Sequence, residues 1–258
     1  MRQIAIVTGA SSGVGREFVT QLAEGSGGPL DEIWAIARSK DALDRLAASS
    51  RDIRIRPLPL DLTDPNALDK LSEALATDDA HVEWLVNCAG LGKFGSFDSV
   101  GRGASATMIR LNCLALVEVC SLVLPHMKVG SRIINISSIA GIVPQPYLTV
   151  YSATKAFVYE FSRMLDEELR SGGIRVTAVC PKFMRTGFLD DPGDNATATS
   201  MCRIGFQDVR TVVRRAVIAS LLGHPVCIPS WDMRAAALAA KLLPRRALFA
   251  IEDLLFRR

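Results

Sequence analysis

Short apolar runs alternate with longer amphipathic segments along most of this chain. The apolar runs predict strands at 3–8, 32–37, 53–58, 81–86, 132–137, 174–180 and 226–229. The amphipathic segments predict helices at 15–23, 41–48, 66–76, 103–127, 151–170 and 208–222. Because strands that alternate with helices form parallel sheets, the pattern predicts an α/β fold: a doubly wound, mostly parallel seven-stranded sheet with helices on both faces.

Length and charge narrow the class of protein. A chain of 258 residues without a Pro/Ser-rich linker predicts a single domain, 1–258. Its 30 Lys and Arg nearly balance its 27 Asp and Glu, so the charge does not favour nucleic acid as a partner. We therefore expect a small-molecule ligand.

The cysteines and histidines favour neither disulfides nor a metal site. The 6 cysteines include no C-x-x-C pair and most lie in apolar runs, so we expect free thiols and a reducing compartment. His81, His126 and His224 are isolated from one another, and we expect no metal. The N-terminus lacks a signal-peptide pattern, and we expect no apolar run long enough to span a bilayer. Together these features predict a cytoplasmic protein.

Glycines follow the first predicted strand where it meets the first helix. Gly9, Gly13 and Gly15 lie in the run GASSGVG. Glycine is required where a backbone turns sharply and where a pyrophosphate must approach the N–H groups of a helix N-terminus. The run therefore predicts a dinucleotide-binding loop, although an ordinary tight turn would have the same composition.

The residue after the second strand bears on the choice of cofactor. An acidic side chain there would accept hydrogen bonds from a ribose 2′-OH, whereas a basic one suits a 2′-phosphate. The strand ends in Ala37 and is followed by Arg38, whose planar guanidinium matches phosphate oxygens. This favours NADP(H) over NAD(H); the alternative is that Arg38 is a solvated loop charge.

Candidate chemistry lies just past the fifth strand. Ser138 follows that strand, and Tyr151 and Lys155 come on the next helix with i, i+4 spacing, which places them on one face. An ammonium beside a phenol is expected to lower the phenol pKa towards the range of an acid/base catalyst. Tyr-x-x-x-Lys also occurs by chance on many helices, so the rest of the chain must decide.

Several motifs occur in the order and spacing of the short-chain dehydrogenase/reductase family, which the chain strongly resembles. They are the T-G-x-x-x-G-x-G loop from Thr8, N-C-A-G from Asn87, and Ser138 thirteen positions before Tyr151. The resemblance implies a Rossmann-type fold and hydride transfer with Asn112, Ser138, Tyr151 and Lys155 as catalytic residues. There Asn112 holds a water that connects Lys155 to solvent. The implied cofactor residues are Gly9, Ser11, Ser12, Gly13, Val14, Gly15, Arg38, Asp61, Leu62, Asn87, Ala89, Gly90, Tyr151, Lys155, Pro181 and Thr186.

Three positions depart from the family pattern. Ser12 stands where many NADP-preferring relatives have a basic residue, and Cys88 replaces the second asparagine of N-N-A-G. Lys182 replaces the glycine that normally follows Pro181. Lysine cannot adopt glycine's backbone angles without cost, which affects the expected nicotinamide pocket. For the Lys182 side chain we expect a solvent-facing position rather than a contact with an acidic group on the substrate or cofactor.

The resemblance also implies a substrate lid at 183–205 and a hydrophobic substrate pocket. Its predicted members are apolar or aromatic; they are Phe94, Val143, Tyr147, Phe183, Met184 and Phe188. Pro144, Leu148 and Leu189 add to the apolar character. We expect a substrate of the hydroxysteroid or 3-oxoacyl type, although a loop packed on the core would explain each residue equally well.

The C-terminal extension, 231–258, mixes apolar and basic residues and is predicted to be helical on both sides of Pro244. It could close the pocket, join subunits or lie on a membrane surface, and packing against protein is favoured over the membrane. Apolar helices also suit a homodimer or homotetramer, as in most relatives. The sequence thus predicts an NADP(H)-dependent oxidoreductase; the alternatives are a non-catalytic NADP(H)-binding redox sensor and a membrane-surface or scaffolding protein.

Overall fold

The computed structural model describes residues 2–77, 80–143, 145, 147–184, 205–244 and 246. Their strands form a seven-stranded, all-parallel sheet in the order β3-β2-β1-β4-β5-β6-β7. The strands are β1 (Arg2–Thr8), β2 (Glu32–Ala37), β3 (Arg54–Pro59), β4 (Ala80–Asn87), β5 (Arg132–Ile136), β6 (Arg175–Val179) and β7 (Val226–Cys227). The predicted α/β sheet is confirmed, with strand bounds within about two residues of the prediction.

Helices connect most of these strands and cover both faces of the sheet. They are α1 (Gly13–Ala23), α2 (Lys40–Ser49), α3 (Pro65–Thr77), α4 (Phe97–Ile109), α5 (Ala115–Val123), α6 (Thr149–Leu169), α7 (Val209–Leu221) and α8 (Trp231–Leu242). Short 3₁₀ turns occur at Leu124–His126, Ile139–Gly141 and Arg170–Gly172. The five cysteines in the described residues are free thiols.

Strand alternation divides the core into two apolar layers. On β1, Ala5 and Val7 face the layer of α1, α2 and α7, whereas Ile4 and Ile6 face that of α3, α5 and α6. Both sets are fully buried. Since helices cover both faces of the sheet, a central strand such as β1 is an almost continuous apolar run.

The predicted helix at 103–127 differs from what the structure shows. Helix α4 begins at Phe97, in the segment expected to be a loop, and Gly101 interrupts it with φ 75°. A π-helical turn at Arg110–Leu114 then joins α4 to α5. Glycine tolerates this positive φ, and π turns are rare and frequently lie at functional sites.

This helical run also corrects the expectation about membrane spans. By length and composition alone, Phe97–His126 is apolar enough to cross a bilayer. Its best window is 39% buried within the protein. Val119 and Val123 on α5 are fully buried in the core layer beneath the sheet, so part of this apolar character is explained by packing.

The topology determines where a ligand can bind. The chain runs from β1 outwards to β3 and then returns to β4 on the other side of β1. The loops after β1 and β4 therefore diverge and leave a crevice at the carboxyl edge of the sheet.

Candidate active site

A cleft of about 710 Å³ occupies this crevice. It runs between two groups of residues that we name separately. The ribose end is formed by Arg38 and Asp61, after β2 and β3. The catalytic end consists of Asn112, Ser138, Tyr151 and Lys155, of which the last three line the cleft. The wall between the two ends includes Gly9, Ser11, Ser12, Gly13, Val14, Gly15, Leu62, Ala89 and Gly90.

The glycine loop has the geometry that its composition predicts. Gly9 and Gly13 have φ of 66° and 52°, in the left-handed region. A Cβ on Gly15 would lie 2.3 Å from the carbonyl oxygen of Gly9, so a side chain is excluded there. The loop thus folds tightly over the N-terminus of α1, and Ser12 at the N-cap makes no side-chain capping bond. Free helix N–H groups and a serine hydroxyl suit a phosphate group.

Thr8 supports this loop from below. Its buried Oγ1 accepts hydrogen bonds from the N–H groups of Cys88 and Ala89, each at 3.1 Å. A Cβ on Gly9 would approach the Ala89 nitrogen to 2.8 Å. The N-C-A-G segment and the glycine loop are therefore held against each other, and this role of Thr8 was not predicted.

At the ribose end, Arg38 is exposed on the rim of the cleft. The next residue, Ser39, is the N-cap of α2. Its hydroxyl accepts a hydrogen bond from the Ala42 N–H and is therefore not free to bind a ligand in the way that Arg38 can. Hydrogen bonds from the Thr63 N–H and hydroxyl hold the pKa of Asp61 below its usual value, and Arg38 lowers it further. The ribose end therefore combines one carboxylate with one exposed guanidinium.

Asn87 lies within the sheet rather than on the cleft wall. Its Nδ2 donates to Oδ1 of Asn135 on β5 at 2.9 Å, and Asn135 in turn donates to Ser162 on α6 at 3.0 Å. The amide thus links the central strands, while Ala89 and Gly90 after it line the cleft.

Ser138 and Tyr151 meet at the catalytic end. The Ser138 hydroxyl accepts from Ala140 N–H at 3.2 Å and is hydrogen-bonded to the Tyr151 phenol. Desolvation raises the pKa of Tyr151 to about 12, although the bond to Ser138 opposes the rise. The expected lowering of this pKa by Lys155 is therefore not seen, because desolvation dominates and the Ser138 hydrogen bond is what opposes it.

Lys155 is buried beneath the phenol. Its Nζ donates to the carbonyl of Ile136 at 2.8 Å and lies 5.8 Å from the centroid of the Tyr151 ring. Desolvation lowers the pKa of Lys155 to about 8. A Cβ on Gly90 would lie 3.4 Å from Nζ, and one on Gly141 would lie 2.6 Å from the Lys155 carbonyl. These two glycines leave the space that the lysine occupies.

Asn112 lies in the π turn and is almost fully buried. Its Oδ1 accepts from Leu91 N–H, and its Nδ2 donates to the Leu91 carbonyl, both at 2.9 Å. Nδ2 also donates to the Thr154 hydroxyl at 3.0 Å. The amide therefore fixes the loop after β4, and a Cβ on Gly90 would lie 3.2 Å from its Oδ1.

Lys182 is placed differently from the expected solvent-facing position. Its Nζ donates to Oδ2 of Asp232 at 2.7 Å, and its side chain is 13% exposed. Burial alone would raise the pKa of Asp232, but hydrogen bonds, with Lys182 first among them, lower it below its usual value. The ion pair ties the segment after β6 to the first turn of α8.

The structure places the predicted substrate residues in different surroundings, and not all of them line the cleft. Phe183 and Met184 line the cleft, and Phe183 lies 6.2 Å from the Phe94 ring, which is buried behind it. Val143 packs against α8. Tyr147 is 47% exposed with φ 64°, and its carbonyl accepts from Gly95 N–H at 2.9 Å. Thr186, Phe188 and most of the lid lie outside the described residues, whereas Pro181 lines the cleft.

Sequence reasoning missed polar residues beside the motifs. Thr107 and Gln145 line the cleft, and Thr154 orders Asn112. The Gln145 Oε1 is buried and has no hydrogen-bond partner among the residues that the structure describes. Their only signal was polarity within apolar surroundings, which is too common to identify a site.

Comparison with known proteins identifies the family. The family model described as short chain dehydrogenase matches residues 3–196. The very-long-chain 3-oxoacyl-CoA reductase of Homo sapiens is 31% identical over 249 residues, covering 88% of this chain and 76% of the relative. Sulfoacetaldehyde reductase 2 of Chromohalobacter salexigens is 33% identical over 240 residues, covering 89% and 90%.

A solved structure agrees with these relatives. The short-chain dehydrogenase from Sphingobium yanoikuyae, in complex with NADPH, has a TM-score of 0.79 and 30% identity. The alignment covers 96% of this chain and 95% of that one. Sequence, fold and site thus agree, and the chain belongs to the short-chain dehydrogenase/reductase family of oxidoreductases.

Proposed function

We propose that the protein is an NADP(H)-dependent oxidoreductase that interconverts a ketone and a secondary alcohol on a hydrophobic substrate. One observation carries the proposal: a single cleft joins the Ser138, Tyr151 and Lys155 group to a glycine loop and to Arg38. The first group suits proton transfer to a carbonyl oxygen, and the second suits a phosphorylated dinucleotide.

The cleft residues fit the cofactor. The loop around Gly9 and Gly13 would hold the pyrophosphate at the N-terminus of α1, and Arg38 would pair with the 2′-phosphate. The three residues directly after β2 are Arg38, Ser39 and Lys40, so the position that would contact the 2′-oxygen is not acidic. When bound, the cofactor supplies or accepts the hydride. The relative from Sphingobium yanoikuyae binds NADPH, which supports the same assignment.

Tyr151 is the proton donor in the reductive direction. With a pKa raised to about 12, its phenol is protonated at neutral pH, which is the form that can protonate a carbonyl oxygen. Ser138 is hydrogen-bonded to the phenol, so its hydroxyl would also bond that oxygen and orient it beside Tyr151. Lys155 sits under the phenol and stabilises the phenolate left after the transfer. Asn112 positions the loop after β4 and supports proton return by way of water.

The substrate wall favours an apolar carbonyl compound. Phe183, Met184 and Ile139 line the cleft near Tyr151. The two relatives differ in this respect, since one is named for a very-long-chain 3-oxoacyl-CoA and the other for sulfoacetaldehyde, a small anion. The aromatic and aliphatic wall supports the larger, more apolar class.

The test is the initial rate of NADPH and NADH oxidation with steroid ketones, 3-oxoacyl thioesters, simple aromatic ketones and sulfoacetaldehyde. Tyr151→Phe keeps the ring and removes the proton donor, so we expect at least a ~100-fold fall in turnover. Tyr159→Phe is the matched control, because Tyr159 lies on the same helix but outside the cleft.

Turnover that prefers NADPH and an apolar ketone and that disappears only in Tyr151→Phe supports the proposal. A preference for NADH would contradict the cofactor assignment, and a preference for sulfoacetaldehyde would contradict the substrate class. If no ketone reacts, no matching alcohol is oxidised and the cofactor still binds, the redox-sensor function replaces the enzyme.

We also propose that the protein forms a homodimer through α4, α5 and α6. Ile109, Leu114, Phe157 and Met164 are exposed apolar residues on and between these helices. The ring of Phe157 stacks on Phe161 with centroids 5.9 Å apart. Apolar side chains on adjacent helices are typical of subunit interfaces, and sedimentation equilibrium of wild type against Phe157→Asp measures whether this one pairs.

A further inference from the structure

Helix α8 has two apolar faces, of which one is covered by the protein. Met233 and Ala237 are buried against Ile139, Ile142 and Val143, the segment that follows Ser138. The opposite face is formed by Trp231, Leu238 and Leu242, which are 82%, 59% and 74% exposed. Their spacing of seven and four residues puts them on one stripe of the helix. Neighbouring exposed apolar side chains of this kind mark a surface that contacts a protein or a membrane.

The charges along this stripe have one sign. Arg234 and Lys241, seven residues apart, are exposed along one edge of it. The single acidic residue of α8, Asp232, is already paired with Lys182. Arg246, just beyond the helix, is exposed as well. The solvent side of α8 therefore combines apolar side chains with cations that have no acidic counterpart on the helix.

We propose that α8 binds the surface of an anionic lipid bilayer, with Trp231, Leu238 and Leu242 at the boundary between headgroups and acyl chains. An amphipathic helix with a tryptophan, leucines and flanking cations has the composition of an interfacial helix. A second copy of the chain fits this face less well. In a symmetric contact between antiparallel copies of α8 the face meets itself, and Arg234 and Lys241 would then approach cations rather than anions.

The position of α8 suggests how contact with a bilayer would serve substrate binding. Its buried face covers the 139–143 segment, so only the thickness of one helix separates the exposed stripe from the substrate side of the cleft. A bilayer beneath α8 would bring membrane-dissolved apolar compounds to that side. The docking surface itself needs no turnover, so the binding test is independent of the proposed function.

The three tryptophans make the binding directly measurable. Trp34 and Trp84 are 0% and 1% exposed, so Trp231 is the tryptophan that a bilayer can reach. The full-length chain is mixed with vesicles of phosphatidylglycerol and phosphatidylcholine in equal parts, or of phosphatidylcholine alone. Sedimentation measures binding, and quenching by lipids with brominated acyl chains measures the depth of Trp231. We expect binding to the anionic vesicles that weakens with salt, with quenching of the tryptophan emission.

Two substitutions on the stripe sharpen the test. Leu238→Gln should weaken binding by about tenfold, because a leucine side chain is lost from the apolar contact. Lys241→Gln should weaken it about fivefold, the effect of one cation near an anionic surface. Leu222→Gln is the control: Leu222 is 66% exposed but lies at the end of α7, so binding should not change. Size-exclusion chromatography is run on each protein without lipid.

The proposal is overturned if the wild-type chain does not bind the anionic vesicles. It is overturned as well if Leu238→Gln and Leu222→Gln bind them equally. It is also overturned if Leu238→Gln converts a dimer into a monomer while wild type does not bind lipid. That result would assign the stripe to a second copy of the chain.

Discussion

Lys155 at the catalytic end donates to a main-chain carbonyl inside the protein, whereas Arg38 at the ribose end lies exposed on the rim of the same cleft. Asn112 and Ser138 are likewise bonded to backbone groups. The catalytic end is therefore pre-organised and its groups have pKa values far from those in water. Substitutions at the catalytic end should therefore reduce turnover by large factors. Substitutions at the ribose end should change the preference between NADPH and NADH by smaller factors.

The largest effect in this comparison is expected for Lys155→Met. Loss of the charge beside Tyr151 should reduce turnover by about 10²–10³-fold, because only the Ser138 hydrogen bond then stabilises the phenolate. Stability should not fall with it. Burial lowers the Lys155 pKa from 10.5 to about 8, so the charged form costs the folded state roughly 3 kcal/mol at neutral pH. The lost bond to Ile136 is worth only about 1 kcal/mol.

Thermal unfolding measured at several pH values separates the cost of burying the Lys155 charge from the loss of its hydrogen bond to Ile136. Between about pH 8 and 10.5 the unfolded chain still binds the proton that folded Lys155 has lost, so wild-type stability rises with pH relative to the variant. Lys155→Met should thus equal or exceed wild type in Tm at pH 7, with the gap narrowing above pH 8. Lys40→Met, in an exposed pair with Asp44, should change neither activity nor Tm. If Lys155→Met has a lower Tm than wild type at pH 7, the main role of Lys155 is structural.

The second effect is a contrast between the two reaction directions. Reduction needs the protonated phenol, which a Tyr151 pKa of about 12 keeps available at every ordinary pH. Oxidation needs the phenolate. As long as the pH is below the Tyr151 pKa, the phenolate fraction increases about tenfold with each unit by which the pH is raised. We therefore expect kcat/KM for alcohol oxidation to rise from pH 6 to about pH 8, where Lys155 still carries its charge, while kcat/KM for reduction stays flat over the same range. A flat oxidation profile would mean that another group accepts the proton.

The fold and the reacting groups could be predicted because their signals are local. Apolar runs specify the strands, and one helical turn specifies the Tyr151 and Lys155 pair. The Lys182 and Asp232 pair could not be predicted, since fifty residues separate the partners and only the fold brings them together. The same holds for Thr8 and Ala89. The raised Tyr151 pKa depends on burial, which spacing does not reveal.

A smaller effect is expected at the ribose end. Arg38→Ser should reduce kcat/KM with NADPH about 10- to 100-fold, the effect of one charged hydrogen-bonded contact, and leave the value with NADH nearly unchanged. Cofactor titrations with one ketone measure both. Arg45→Ser, an exposed arginine on the neighbouring α2, is the control. Equal losses with both cofactors would show that Arg38 supports the fold of the rim instead of reading the 2′-phosphate.

The smallest effect tests how firmly the catalytic end is joined to α8. Asp232→Asn weakens a partly buried ion pair, so we expect a loss of about 1 kcal/mol and a Tm lower by about 2–4 °C. Asp44→Asn breaks a pair of similar length on the surface, with both partners exposed, and should leave Tm unchanged. The Asp232 pKa is depressed, so its contribution is present above pH 4 and is lost as the carboxylate is protonated below it. If the two variants unfold alike at pH 7 and the substrate KM is unchanged, the pair does not hold α8 over the cleft.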